Sequence, residues 1–144
     1  MKLWIIGPVL TIGVLAGCGD DGDEPEAVED VSVEVLLDAE AETVLGQSIS
    51  YPGGAPAVTM SIVTLEPGAS TVNHIHEAPM AAYILEGEVT VDYGDGGTFT
   101  FSEGDALLEA LDVVHEGTNT GSDPVRILVL NMGSDEVENT VTID

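Results

Sequence analysis

From Ala57 to Met132 the chain is a succession of short apolar runs, each closed by a glycine- or proline-bearing turn, with no sustained helical period. Ala57 to Leu65 is rich in Val, Ile, Thr and Met and ends at Pro67-Gly68. Ala81 to Leu85 meets Val89 to Tyr93 across Glu86-Gly87-Glu88, and Gly94-Asp95-Gly96-Gly97 is a hairpin turn into Thr98 to Phe101. Ser102-Glu103-Gly104-Asp105 turns the chain again, and Ala106 to Leu111, Val113 to His115 and Val125 to Met132 supply further strands. Upstream, Val31, Val33 and Val35 hint at alternation before the turn at Tyr51-Pro52-Gly53-Gly54. Such a pattern predicts an all-β sandwich or barrel. At 144 residues it predicts one domain.

Charge excludes whole classes of partner. Asp and Glu number 27 against 2 Lys plus Arg, giving a formal net charge of −25. No basic surface can be assembled, so nucleic acid and anionic lipid headgroups are ruled out as electrostatic partners. Self-repulsion of this size opposes compaction in dilute buffer, whereas at 1 M salt the Debye length falls to about 3 Å. The composition resembles that of proteins from extreme halophiles.

The N-terminus predicts export. Met1-Lys2 leads into an apolar stretch from Leu3 to Leu15, shorter than the roughly 20 residues a spanning helix needs, then Ala16, Gly17 and Cys18. Leu15-Ala16-Gly17-Cys18 resembles the lipobox of bacterial lipoproteins, which implies a signal peptide over 1–17 and acyl chains on Cys18. Cys18 is the only cysteine, so it has no internal disulfide partner. Loss of Lys2 with the leader would make the mature chain one unit more negative. Residues 19–30 are mostly Gly, Asp, Glu and Pro with hardly an apolar side chain, so that 18–30 reads as the lipidated Cys18 and an acidic flexible tether. The expected protein is tethered to the cell envelope through Cys18, with residues 31–144 as its folded barrel.

All three histidines sit where strands could bring them together. His74 and His76 are two apart, which on a strand puts both rings on one face. His115 ends another apolar run far along the chain and can deliver a third ligand to a common interior point. Three neutral imidazoles suit a divalent transition metal, with Fe, Mn, Ni, Zn and Cu as the candidates, and leave coordination positions open.

These residues carry a resemblance to the cupin superfamily, in particular its small single-domain bacterial members. Gly68, His74, His76 and Gly87 fall in register with the first motif, G-x5-H-x-H-x3,4-E-x6-G, and Gly104, His115 and Asn119 with the second, G-x5-P-x-G-x2-H-x3-N. Tyr83-Ile84-Leu85-Glu86-Gly87-Glu88-Val89 is also typical of such chains. The resemblance implies a double-stranded β-helix, a jelly-roll-like barrel, with a metal held by His74, His76 and His115, and a homodimer. Three positions depart from the motifs: Met80 stands where the glutamate ligand falls, and Ala110 and Asp112 replace the proline and glycine of the second motif.

Met80 is then an apolar lining residue or a thioether at the fourth position, where a soft ligand would favour copper. Glu77 follows His76 directly and is expected on the opposite face. Glu109 and Glu116 flank the second motif as candidate acceptors for an imidazole N–H, or as solvated acids. Tyr83, Phe99 and Phe101 read as core, Asn119 as the pin of a turn, and Arg126 as a salt-bridge partner. With so little positive charge, a small neutral organic ligand fits better than an anion. Three functions compete: a dioxygenase-like oxidoreductase, a non-catalytic protein that captures a metal or small ligand, and a barrel whose site is vestigial. No residue is recognisable from sequence as a general base or nucleophile.

Overall fold

The structure, a computed structural model, describes residues 31–38 and 40–144. The leader, Cys18 and the acidic tether lie outside the described residues, among which no helix is long and apolar enough to cross a membrane. Residues 34–144 form one compact unit.

Its strands are β1 (Pro56–Leu65), β2 (His74–Ile75), β3 (Met80–Glu86), β4 (Glu88–Asp92), β5 (Thr98–Ser102), β6 (Ala106–Leu108), β7 (Glu116–Thr118), β8 (Val125–Ser134) and β9 (Val141–Thr142). They assemble into a four-stranded sheet ordered β1-β8-β3-β6, a three-stranded sheet ordered β5-β4-β7 and the short pair β2-β9, with every pairing antiparallel. This is the all-β, jelly-roll-like barrel that the strand pattern and the motifs predict.

Alternation decides what faces inward. On β1, Ser61, Val63 and Leu65 line the interior, while Val58, Met60 and Ile62 face out and are exposed. On β8, Ile127, Val129 and Asn131 take the inward positions, and on β3 Met80, Ala82 and Ile84. The core joins these to Val89 and Val91 of β4, with Tyr93 just beyond its end.

Four strand expectations change. β3 and β4 do not form a hairpin: β3 pairs with β6 and β8, and β4 with β5 and β7. The intervening Gly87, at φ 79°, turns the chain from one sheet to the other, and a Cβ there would lie 2.9 Å from the carbonyl oxygen of Pro124. Ala106 to Leu111 shortens to β6. The run at Val113–His115 contributes only the His115 bridge to His74 before β7 begins at Glu116. The alternation at Val31, Val33 and Val35 forms no strand. The hairpin at Gly94–Gly97 is present, joining β4 to β5 through a single 3-10 turn.

Asn119 pins its turn. Its side-chain amide donates to the carbonyls of Leu65 (2.9 Å) and Asp123 (2.8 Å), and its Oδ1 accepts the N–H of Gly121 (2.9 Å). Arg126 pairs with Glu86 at 3.1 Å on the exposed surface, where such a bridge contributes at most about 1 kcal/mol.

Candidate metal centre

His74 and His115 exchange both backbone hydrogen bonds, 3.1 and 3.0 Å, as an antiparallel pair. Residues so paired are directly opposite, and their side chains leave from the same face of the ladder. Their ring centroids are 4.3 Å apart. His76, two residues on, has its ring 4.9 Å from that of His74 and 5.1 Å from that of His115. One ring nitrogen from each lies within 4.8 Å of the other two. The chain thus brings together the three histidines that its spacing singled out.

Hydrogen bonding fixes which nitrogen each ring presents. His74 Nδ1 meets the carbonyl of Val72 at 2.7 Å, and His115 Nδ1 that of Val113 at 2.8 Å, in each case two residues back. His76 Nδ1 meets the carbonyl of Asn139 at 3.0 Å. A carbonyl only accepts, so each Nδ1 donates, and a neutral ring carries its lone pair on Nε2. His76 Nε2 is buried with no hydrogen-bond partner. A buried acceptor of this kind costs stability unless something binds it.

Burial favours the neutral form of His74 and His76. It is the largest influence on His76, pushed down to about 4, and on His74, which is also lowered; neighbouring histidines act in the same direction on both. Neutral imidazoles with fixed tautomers and one unsatisfied inward nitrogen fit a transition-metal ion.

The cluster opens on a cavity of about 280 Å³ between the sheets, at the small end for ligand sites. Its wall is largely aliphatic, including Val63, Ala82, Ile84, Val91 and Val129. Met80 lines it, 7% exposed, where the motif would place glutamate. Glu77 is exposed and accepts the N–H of Glu138, off the cavity as expected. Neither Glu109 nor Glu116 receives an imidazole N–H, because backbone carbonyls take all three. Glu116 is half-buried and is not part of the cavity wall, whereas Glu109, 6% exposed, is.

Asp112 has φ 54°, the one non-glycine residue at positive φ among those described. It occupies the motif's glycine position, and its N–H reaches the carbonyl of His76 at 3.0 Å. The backbone shape that glycine would supply is kept, since Asp tolerates the left-handed region better than most residues.

Tyr93 escaped the sequence reading. It is 2% exposed, its hydroxyl donates to Glu109 Oε1 at 2.5 Å, and its ring centroid lies 5.3 Å from that of His115. Burial, followed by the Glu109 carboxylate, holds its phenol proton on more firmly than usual. Nothing in the sequence distinguishes this tyrosine at the end of an apolar strand from a core aromatic.

The fold and the cluster define a cupin-type β-barrel with a three-histidine centre. Residues 61–131 match the family described as Cupin domain. Among solved structures, the chain is similar to the Lactobacillus farciminis oxalate decarboxylase in its formate complex, with 21% identity and a TM-score of 0.52 over 60% of this chain and 26% of that one. It is similar to the Bacillus subtilis oxalate decarboxylase at pH 4.6, with 26% identity and a TM-score of 0.51 over 60% and 23%. A sugar phosphate isomerase from a cupin superfamily of Silicibacter pomeroyi matches at 26% identity and a TM-score of 0.47 over 54% and 51%. The chain spans about a quarter of the length of the two oxalate decarboxylases. No curated protein matches it in sequence.

Proposed function

We propose that the protein is a cupin that binds one divalent transition-metal ion through His74, His76 and His115 and acts on a small neutral organic molecule as a dioxygenase-like oxidoreductase. The observation that carries this reading is the set of three Nδ1-anchored imidazoles, whose remaining nitrogens share the edge of a cavity. A bound ion would supply Lewis acidity and redox chemistry there. The chain's residues orient all three rings through their Nδ1 atoms, keep His74 and His76 neutral, line the site with an aliphatic wall, and offer one carboxylate, Glu109, to a ligand.

The all-nitrogen donor set favours Fe, Ni, Cu and Zn over Mn, which prefers oxygen ligands. A dianion such as the oxalate named for two of the similar structures is a poor fit. Arg126, the only cationic side chain among the described residues, is paired with Glu86 on the outer surface, and the cavity wall carries a carboxylate instead. Oxygen uptake by protein loaded in turn with Fe, Ni, Cu and Zn, over a panel of phenols and thiols, tests the reading. Uptake with at least one substrate, abolished in His76→Ala, is expected. Stoichiometric metal without uptake on any substrate would make the protein a carrier of metal or small ligand.

We further propose attachment to the cell envelope through lipid on Cys18, supported by Leu15-Ala16-Gly17-Cys18 and the acidic stretch after it. Labelled palmitate should enter the wild type and not Cys18→Ala. A homodimer has a suitable surface in the outward face of β1, where Val58, Met60 and Ile62 are 66, 63 and 50% exposed and β1 itself carries no acid. Across the ladder lie Met132, Leu130 and Leu128. In so acidic a molecule, an acid-free apolar face lets a second copy approach with little repulsion. Sedimentation in high salt should give a dimer, and Met60→Glu a monomer.

A further inference from the structure

Two polar side chains in the cavity have bonding capacity that the fold does not use. Glu109 Oε1 accepts both the Tyr93 hydroxyl and the N–H of Ala110 (2.8 Å), while Oε2 has no hydrogen bond among the described residues. Asn131 is 8% exposed and lines the same cavity; its side chain makes no hydrogen bond there, and its Oδ1 is buried without a partner. An orphaned amide in an apolar wall costs stability until a water, an ion or a ligand satisfies it.

Both residues sit in one row across the sheet. Met80 of β3 pairs in register with Asn131 of β8, and its carbonyl accepts the N–H of Glu109 on the other side at 2.9 Å. With neighbouring strands roughly 4.8 Å apart, the backbones of Glu109 and Asn131 stand about 10 Å from each other. Between them Met80 provides an apolar floor. The carboxylate absent from the motif position reappears one strand away, tied back by a tyrosine, and faces an amide.

We propose that Glu109 and Asn131 form a ligand subsite for a small uncharged molecule with two hydroxyl donors, a diol or diphenol whose apolar body lies over Met80. The unpaired Asn131 oxygen and the Glu109 oxygen without a protein partner can each take a donor, the carboxylate disfavours a negative ligand, and the aliphatic wall calls for an apolar body. The inference rests on the reading of the cavity as a small-molecule site and needs no metal for binding.

The test is calorimetric titration of resorcinol and 1,3-dimethoxybenzene, the same body without donors, into the full chain in high salt, both metal-free and zinc-loaded. The metal-free protein is expected to bind one equivalent of resorcinol, with the dimethoxy compound weaker by roughly tenfold or more, the value of a lost hydrogen bond to a charged or buried group. Asn131→Leu removes an unsatisfied buried amide and is expected to fold at least as stably as the wild type, yet to weaken resorcinol by a similar factor. Glu109→Gln keeps an acceptor for Tyr93 and should weaken it as well. No resorcinol binding in either form, equal binding of the two compounds, or wild-type affinity in Asn131→Leu would overturn the subsite. Resorcinol binding that depends on Asn131 in a protein that retains none of Fe, Ni, Cu and Zn would leave the subsite standing and sink the metal reading.

Discussion

His76 is the residue on which the site turns, because it is buried, neutral and unsatisfied at one nitrogen. Its pKa of about 4 in the fold lies below the ordinary 6.5, so between those values the unfolded chain binds the proton more readily. Stability of the metal-free protein should therefore fall as pH drops from about 6.5 toward 4, by up to about 3 kcal/mol from this ring. His74 is shifted the same way. Chemical unfolding at pH 7 and pH 5, in high salt so that carboxylate repulsion is screened, should show the loss in the wild type and a smaller one in His76→Gln. An equal loss in both would remove His76 as its source. Asp112 makes the opposite kind of prediction. Its left-handed φ costs roughly 1 kcal/mol that glycine would not, partly offset by glycine's greater freedom when unfolded. Asp112→Gly should be neutral or stabilising by under about 1 kcal/mol, without disturbing the His76 carbonyl contact; a marked loss of stability would mean that the Asp side chain has a role of its own.

At the scale of elements, the site depends on how the sheets are joined. β3 enters one sheet and β4 the other, and Gly87 is the corner between them. A side chain there would meet both the wrong φ and the Pro124 carbonyl at 2.9 Å, with a Val125 methyl at 3.0 Å. Gly87→Ala should destabilise by about 2–3 kcal/mol, read from the shift in denaturant midpoint; a change below 0.5 kcal/mol would contradict this account of the corner. This is also where sequence reading stopped short. Alternation and turn residues identified β1, β4, β5 and β8, since local periodicity encodes them. That Glu86-Gly87-Glu88 joins two sheets instead of closing a hairpin is decided by which strands compete for β3, a non-local choice. The brevity of β6 follows from the same competition: beyond Leu108 the chain leaves the ladder, and Ala110 and Leu111 bond instead to the side chains of Glu109 and Gln47.

For the whole molecule, the histidine cluster was legible because the H-x-H spacing and a distant third histidine need only the strand period and the two motifs. Glu109, Tyr93 and Asn131 were not legible as a unit. They meet only when strands far apart in sequence register against one another, and an acid in a chain with 27 acids carries little signal by itself. The same acidity predicts a dependence on salt. Raising NaCl from 0.1 to 1 M contracts the Debye length from about 10 to 3 Å, so the thermal midpoint should rise steeply over that range; a flat response would mean that the negative charges are already compensated in the fold.

Three histidines anchored through Nδ1 should hold one metal ion. Elemental analysis of the purified protein after equilibration with Fe, Ni, Cu and Zn in turn, followed by desalting in high salt, tests it most directly, with His115→Ala treated in parallel. Close to one ion per chain is expected for at least one metal in the wild type, and little or none in the variant. No retained metal in the wild type, or equal retention in the two proteins, would contradict it.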